Sequence, residues 1–426
     1  MNVLVLGSGG REHAIVKKIA ESPLCDKLFA LPGNDGMKEA ELIEGSVMDK
    51  DRVLKAVREN DISFVVVTPD DPLADGMVDF LNENGIAAFG PDKKAARIES
   101  SKAFAKNLMK KYSIPTADYE IFTNADDALS YVREKGAPIV IKADGLALGK
   151  GVTVAMTLDE AEKAIRDAMV SHKFGQSGEK IVIEEYLMGP EISVLAFTDG
   201  QTVVPMVSSM DHKRAYDGDE GPNTGGMGAV APNPYYDEEC QKECMEKIFI
   251  PTIEAMRAEG SAFKGCLYFG LMKTEDGVKV IEYNSRFGDP ETQAVLPLLE
   301  SDLLAIMMST TDGTLKESKI DWKDASSCVI ALASSGYPGQ YEKGKRISIS
   351  HPVSSQIYYA GVQEKNGELL TSGGRVLYVM ATAHDLKDAI EKAYEDVKAI
   401  SFDGAFLRKD IGMKALEEEN GKKGLR

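Results

Sequence analysis

The chain is 426 residues long, more than one ordinary hydrophobic core supports, so roughly two to four packed units are expected. Its 43% hydrophobic and 28% charged residues describe a soluble globular protein. The balance of 50 basic against 68 acidic residues, net −18, argues against nucleic-acid binding by bulk charge. Five scattered cysteines, an odd number, suit a reducing compartment better than a disulfide framework, and no apolar stretch approaches a membrane span. A cytoplasmic protein without membrane or nucleic-acid partners is expected.

The first hundred residues alternate short apolar runs with helix-spaced apolar faces. "VLVL", "KLFAL", "FVVV" and "IAAFG" predict strands, with helices around residues 14–20, 53–57 and 77–81 between them. That alternation predicts an α/β unit with a Rossmann-like parallel sheet, whose sites gather at the carboxyl ends of the strands. "GSGGREHA" and "LPGND" both fall there. A dinucleotide fingerprint is not met: the third glycine of G-x-G-x-x-G would stand where Glu12 stands, and strand two ends in Leu31, Pro32 and Gly33 without an acid. A weaker statement survives. Gly7, Gly9 and Gly10 allow close backbone approach, the helix start offers N–H groups to an anion, and Arg11 adds a charged donor. Glycines serving only strand-to-helix packing explain this stretch about as well.

A helix capped by Ser100 or Ser101 opens a second, α+β unit. Mostly antiparallel strands are expected at "PIVIKA", "GVTVAM", "KIVIEEY", "EISVLAF" and "QTVVPMV", with a helix over 158–170 among them. A long amphipathic helix over 238–259 then leads into the hairpin "CLYFGLMKTEDGVKVIEYN", turning at Asp276-Gly277. The last third mixes the strands "SCVIALAS" and "RVLYVMA" with a helix over 386–400, and the C-terminal "EEENGKKGLR" is expected to fray.

Several stretches carry chemistry. In "IVIKADGLALGKGVTV", Lys142 ends an apolar strand, and Gly145, Gly149 and Gly151 form a loop with Lys150 at its tip. Such a loop can fold over a polyphosphate, although the Walker spacing is not met; a mobile hairpin with solvated lysines is the other reading, and the two bracketing lysines favour the first. Glu184 to Leu187 read as a strand edge offering main-chain groups to a base, and Glu191 as a partner for ribose hydroxyls; a solvated carboxylate cluster explains them better when taken alone. In "VIEYNSRFGDPETQ", alternation places Glu282, Asn284 and Arg286 on one face. A carboxylate and an amide two residues apart are hard oxygen ligands for Mg²⁺ bridging ATP phosphates, and Arg286 follows to meet phosphoryl oxygens. The segment "DHKRAYDGDEGPNTGGMGAVAP" is too glycine-rich for an ordinary connector. Asp211, Lys213, Asn223 and Thr224 supply donors and acceptors, while Gly225, Gly226 and Gly228 permit close approach. His212 is read as structural. Cys240 and Cys244 are helix-spaced but lack companions for a zinc site.

Together, "GSGGREHA", "KADGLALGKGV", "DHKR…GPNTGGMGA", "NSRFGDPETQ" and "RKDIG", running in order from residue 7 to about 412, resemble the glycinamide ribonucleotide synthetase (phosphoribosylamine–glycine ligase) family of the ATP-grasp superfamily. The resemblance implies a Rossmann-like domain over 1–101 and an ATP-grasp domain over 102–327 with a mobile lid at about 123–190. A smaller C-terminal α+β domain would span 328–426. It implies ATP-dependent joining of glycine to 5-phosphoribosylamine through glycyl phosphate, with Mg²⁺ or Mn²⁺, in a monomer or weak homodimer. By the likeness, Lys102, Lys142, Gly145, Gly149, Lys150 and Gly151 would hold ATP phosphates, and Glu184, Leu187 and Glu191 the adenine and ribose. Glu282 and Asn284 would hold the metal, and Arg286, Lys213 and Asp289 would form the catalytic set. Gly9, Gly10, Arg11, Glu12, Asp211, Asn223, Gly225, Gly226 and Met227 would bind the other substrates. One departure is Thr68-Pro69-Asp70 where the family usually carries Gly-Pro-Glu. Against this stand a different ATP-grasp ligase or carboxylase, a non-catalytic nucleotide sensor, and a dehydrogenase already weakened by Glu12.

Overall fold

The structure, a computed structural model, describes residues 1–147 and 151–424. The chain begins with a parallel sheet whose strands run in the order Glu41–Leu42, Lys27–Pro32, Asn2–Gly7, Ile62–Val67 and Ala87–Phe89. The central strand is apolar throughout because helices cover both of its faces. Val3 and Val5 pack with Ala14, Ile15 and Ile19 of the helix Gly10–Ala20, while Leu4 and Leu6 pack with Val53 and Val57 of the helix Lys50–Glu59. Gly7 adopts a φ of +123°, a conformation that lets the chain turn straight from strand to helix.

The next unit is built from two four-stranded antiparallel sheets. One has the order Tyr119–Phe122, Ile181–Glu185, Ile139–Ala143, Val152–Ala155, and is covered through Ala128, Leu129, Val132, Ala161 and Ile165 by the helices Ala125–Lys135 and Leu158–Ile165. The other runs Val203–Pro205, Glu191–Asp199, Lys264–Thr274, Gly277–Asn284. It packs on Leu108 and Met109 of the helix Lys102–Lys111 and on Ile253 and Met256 of Ile250–Ala258. Ser101 caps the former by accepting the Phe104 N–H at 3.1 Å.

The third sheet has the order Met210–Asp211, Gly228–Ala231, Ser326–Ser334, Arg375–Ala383, Gln356–Tyr359, with Ala405–Phe406 paired to one end of Ser326–Ser334. Its first two strands come from the glycine-rich segment near residue 220. The C-terminal sheet and the middle of the chain are therefore one hydrogen-bonded structure.

Five local expectations are corrected. The hairpin loop is Glu275–Asp276, because Thr274 pairs with Gly277. The expected 238–259 helix consists of Glu238–Cys244, a wide π turn Met245–Phe249, and Ile250–Ala258; Pro251 has no N–H to continue the regular ladder, and the register shifts just before it. The 158–170 helix likewise changes at Ile165 to a wide turn, Arg166–Val170. Glu184 is not at a strand edge, since its strand lies between two neighbours, and Leu187 falls beyond the strand's end. The expected fraying is not met up to Gly424: Met413–Gly424 is helical, anchored by the buried Ala415 and by Lys422 Nζ donating to Pro234 O at 2.7 Å, while Leu425 and Arg426 lie outside the described residues. Among the described residues no helix is long and apolar enough to cross a membrane.

Candidate active site

A cleft opens between the two four-stranded sheets, lined by Asp70, Glu99, Lys102, Lys106, Lys142, Gly151, Glu184, Glu282, Asn284 and Arg286 among others. Lys142 leaves the buried strand Ile139–Ala143 and reaches across the cleft, its Nζ donating to Ile281 O at 2.9 Å on the opposite sheet. The same ammonium lies 3.0 Å from Glu184 Oε1, and Lys106 Nζ lies 2.9 Å from Glu184 Oε2. Glu184 is thus a buried carboxylate shared by two lysines. Burial lowers the Lys106 ammonium to about 8 against the opposing charge of Glu184, and burial likewise lowers Lys102. Lys102 donates to Gly145 O at 3.2 Å, which ties the start of its helix to the glycine loop. Gly149 and Lys150 lie outside the described residues.

On the facing sheet, strand alternation does what the spacing predicts: Glu282, Asn284 and Arg286 all line the cleft. Partial desolvation pushes the Glu282 carboxyl up, but Lys213, Lys142, Lys102 and Arg286 outweigh it and hold the group below the usual range, so it is ionised. Asn284 Nδ2 donates to the adjacent Tyr283 O at 2.8 Å, which leaves the amide oxygen as its free face. Two hard oxygens with no third acid fit a magnesium ion that takes its remaining ligands from water and phosphate; among the described residues no cluster of three or more His, Cys, Asp or Glu offers a fuller cage. Arg286 is held by Glu99 at 3.0 Å, whose other oxygen accepts from Ser285 N and Oγ, and the Arg286 Nε is buried without a partner.

The glycine-rich loop of the first sheet closes one end of this region. Gly9 is the helix N-cap, and its N–H donates to Glu12 Oε2 at 2.7 Å, the one half of a capping box that glycine can make. Glu12 also accepts from Arg11 Nε at 2.7 Å, and Arg11 Nη1 donates to Phe287 O at 3.1 Å. Gly10 leaves no room for a side chain, because Tyr378 and Gln293 of other units press against it. Glu12 is 3% exposed and organises this turn, whereas the Arg11 side chain is 12% exposed.

The 211–227 segment approaches the cleft through Lys213 near Glu282, although none of its residues is among the cleft's lining. It contains the hairpin Arg214–Tyr216 with Glu220–Asn223, so Asn223 is an exposed strand residue. Lys213 Nζ pairs with Glu191 at 2.8 Å and stands 3.9 Å from Glu282. Gly225 and Gly226 are held from the C-terminal sheet: Tyr337 Oη accepts the Gly225 N–H at 3.0 Å, and Arg375 donates to both carbonyls. Asp289 is fully engaged, by Arg375 at 2.5 Å, Gln293 at 2.6 Å and Tyr378 at 3.2 Å. The Met227 side chain is wholly buried in the C-terminal core and its backbone bonds His212 O and Ala331 N, so it packs the base of the loop. His212 is structural as read, accepting from Gly412 N at 3.1 Å, with burial lowering it to about 4.

The structure therefore brings Lys102, Lys142, Gly151, Glu184, Glu282, Asn284 and Arg286 to one cleft, with Lys213 and Glu191 paired beside Glu282. Leu187 is not among that cleft's lining. Sequence reading passed over Glu99, Lys106, Arg375, Tyr378 and Arg408. Arg408 is buried to 1% exposure and bonds Asp219 and Asp410 at 2.8 Å, locking the hairpin to the C-terminus. A buried-type arginine in the quoted "RKDIG" was a usable signal; the others had none.

Three family models match consecutive parts of the chain: phosphoribosylglycinamide synthetase N domain over residues 1–99, its ATP-grasp (A) domain over 100–292, and its C domain over 327–414. A phosphoribosylamine–glycine ligase of Halalkalibacterium halodurans is 49% identical over 421 residues, covering 98% of both chains. The Listeria monocytogenes protein of the same name is 48% identical, covering 97% of this chain and 100% of its own. A solved phosphoribosylamine–glycine ligase from Thermotoga maritima superposes with a TM-score of 0.86 at 36% identity, over 96% of this chain and 100% of that one. The biotin carboxylase domain of a Hydrogenobacter thermophilus 2-oxoglutarate carboxylase shares the fold, with a TM-score of 0.74 at 16% identity.

Proposed function

The chain belongs to the phosphoribosylglycinamide synthetase family, and we propose that the cleft between its two antiparallel sheets, with the loops flanking it, carries the family's reaction. That reaction consumes ATP to join glycine to 5-phosphoribosylamine, giving glycinamide ribonucleotide, ADP and phosphate, the second step of de novo purine biosynthesis. A carboxylate is a poor electrophile, so glycine is first converted to glycyl phosphate; the sugar amine then attacks its carbonyl and phosphate leaves. Catalysis of this kind is mostly positioning and charge stabilisation.

The observation that carries the assignment of roles is the convergence of Lys102, Lys142, Glu282, Asn284 and Arg286 on one cleft. Lys102 and Lys142, with Gly145, Gly149, Lys150 and Gly151 of the loop, bind the ATP phosphates. Glu184 acts through the lysines it holds rather than on the base, and Glu191 serves the ribose side while fixing Lys213. Glu282 and Asn284 hold magnesium, which when bound neutralises phosphate charge. Arg286, held by Glu99, offers its unpartnered Nε to the transferring phosphoryl oxygens, and Lys213, 3.9 Å from Glu282, adds a second cation on the metal side. Gly9, Gly10 and Arg11 bind phosphoribosylamine, with Glu12 shaping their turn. Asn223, Gly225 and Gly226 enclose the substrates, anchored by Asp289, and exclude water from a labile acyl phosphate.

An acidic chain with a small-molecule cleft supports a cytoplasmic enzyme that needs neither nucleic acid nor membrane, acting as a monomer or weak homodimer with domains near 1–101, 102–327 and 328–426. Two variants test the roles. Glu282→Gln is expected to cut kcat by about 10²-fold or more and to raise the magnesium concentration needed for half-maximal rate. Arg11→Ala is expected to raise KM for phosphoribosylamine about tenfold while leaving KM for ATP within twofold. A Glu282→Gln enzyme with unchanged rate and magnesium dependence would contradict the metal assignment.

A further inference from the structure

Of the five cysteines, Cys240 and Cys244 alone share an element, standing one turn apart on the helix Glu238–Cys244. Cys240 is 2% exposed and Cys244 0%, and the two thiols are hydrogen-bonded to each other. A free cysteine in a core usually serves as a small hydrophobe, and the company of Ile248 and Phe249 fits that use. An apolar role does not account for the contact between the sulfurs or for the charge beside them. Lys273 Nζ, paired with Asp237 at 2.8 Å and donating to Tyr235 O at 3.2 Å, favours a thiolate at Cys240. The Cys244 S–H and Lys273 together outweigh burial and the opposing charges of Asp237 and Glu243, and hold the Cys240 thiol below its ordinary value. Cys244, the donor of the pair and buried, is pushed the other way.

A disulfide is not what this geometry prepares. Residues four apart on a helix hold their Cβ atoms about 5–6 Å apart, whereas a disulfide needs about 3.5–4.5 Å. An ion between two thiolates spans more: with metal–sulfur bonds of about 2.3 Å the sulfurs lie up to about 4.6 Å apart, so the helix keeps its shape. Zinc wants four ligands, and among the described residues no group of three or more His, Cys, Asp or Glu is placed to hold a metal. Two soft sulfurs by themselves suit a soft ion content with two ligands. We propose that Cys240 and Cys244 form a two-thiolate site for a thiophilic cation of the copper(I) class, separate from the hard-oxygen pair Glu282 and Asn284. Binding releases both thiol protons, 2 RSH + Cu⁺ → [RS–Cu–SR]⁻ + 2 H⁺, and the one negative charge that remains is set against Lys273. The loaded helix rests on the catalytic hairpin at its turn, where a Cβ on Gly277 would stand 2.6 Å from Glu243 Oε1.

The test titrates the full chain, reduced and without oxygen, with copper(I) in competition with a coloured copper(I) chelator. One copper per chain is expected, and Cys240→Ser and Cys244→Ser are each expected to weaken it more than about a hundredfold, beyond what altering a residue behind the ligands costs. Cys25→Ser, which removes the one partly exposed thiol, is expected to leave it unchanged. A chain that takes no copper from the chelator, a site kept by both Cys240→Ser and Cys244→Ser, or a site lost in Cys25→Ser would overturn the proposal. Zinc at equal concentration is expected not to displace the copper, and displacement would contradict the two-ligand assignment. Unaltered ADP release by the two serine variants checks that they fold. The unmodified chain supplies a readout independent of their folding: X-ray absorption at the copper edge is expected to show two sulfur neighbours. Three sulfurs, or nitrogen and oxygen neighbours, would overturn the proposal.

Discussion

Glu184 shows how a single residue changes meaning between sequence and structure. In the sequence it is one acid in "IEEY", with nothing to separate it from its neighbour Glu185. In the fold its carboxylate lies within 3.1 Å of two lysine ammonium groups and is 3% exposed. Glu184→Ala would leave Lys106 and Lys142 as neighbouring buried cations, a loss expected to destabilise the protein by about 3–5 kcal/mol. Equilibrium urea unfolding reads this as a lower midpoint at similar slope. Glu282, Asn284 and Arg286 were legible because a strand's period of two places them on one face, a rule that needs no tertiary knowledge. Glu99, which holds Arg286, is 187 residues away, and no local pattern connects the two. Asp211 and Glu291 were quoted within larger motifs, but the burial of Glu291 and the unpartnered Asp211 Oδ1 appear only in three dimensions.

At the scale of elements, the helix Gly10–Ala20 is latched to the C-terminal sheet. His13 is 1% exposed; its Nδ1 accepts the Tyr359 N–H at 2.8 Å, so Nε2 carries the proton and faces Glu39 at 3.2 Å. Asn34 completes the clamp by donating to Tyr359 O at 3.0 Å and to Ser8 O at 2.7 Å. Burial opposes ionisation of Glu39, yet its hydrogen bonds to His13 and Lys17 hold its carboxyl down to about 2 from 4.5. The folded value lies below the unfolded one, so the stabilisation is complete above pH 4.5 and fades as pH falls toward 2. By linkage it amounts to at most about 3 kcal/mol. Glu39→Gln is expected to lower the urea midpoint at pH 7 and to flatten its decline between pH 4.5 and 3. The elements themselves were mostly legible, because buried parallel strands and capped amphipathic helices have strong local signatures. The breaks at Met245–Phe249 and Arg166–Val170 were not, since a register shift leaves the apolar spacing nearly intact.

The whole molecule is less divisible than its sequence suggests. Read along the chain, the last hundred residues look like an appended domain. In space their sheet is completed by Gly228–Ala231 and Met210–Asp211, and Arg375 reaches back to Asp289, Gly225 and Gly226. A chain ending at residue 326 would expose the Gly228–Ala231 edge and leave Asp289 without its guanidinium. It is expected to be degraded by limited proteolysis at least tenfold faster than the full chain in its 208–231 region, which the intact fold protects. Strand order of this kind depends on pairings between residues a hundred positions apart, such as Val230 with Cys328, and local periodicity carries no information about them. The central claim, that this one body activates glycine with ATP for capture by a sugar amine, is tested most directly by ADP release from the purified chain. Mg-ATP, glycine and freshly made phosphoribosylamine are supplied together and then omitted singly. Sustained turnover only when all three are present is the predicted result. Turnover that continues at the same rate without glycine or without phosphoribosylamine would contradict it.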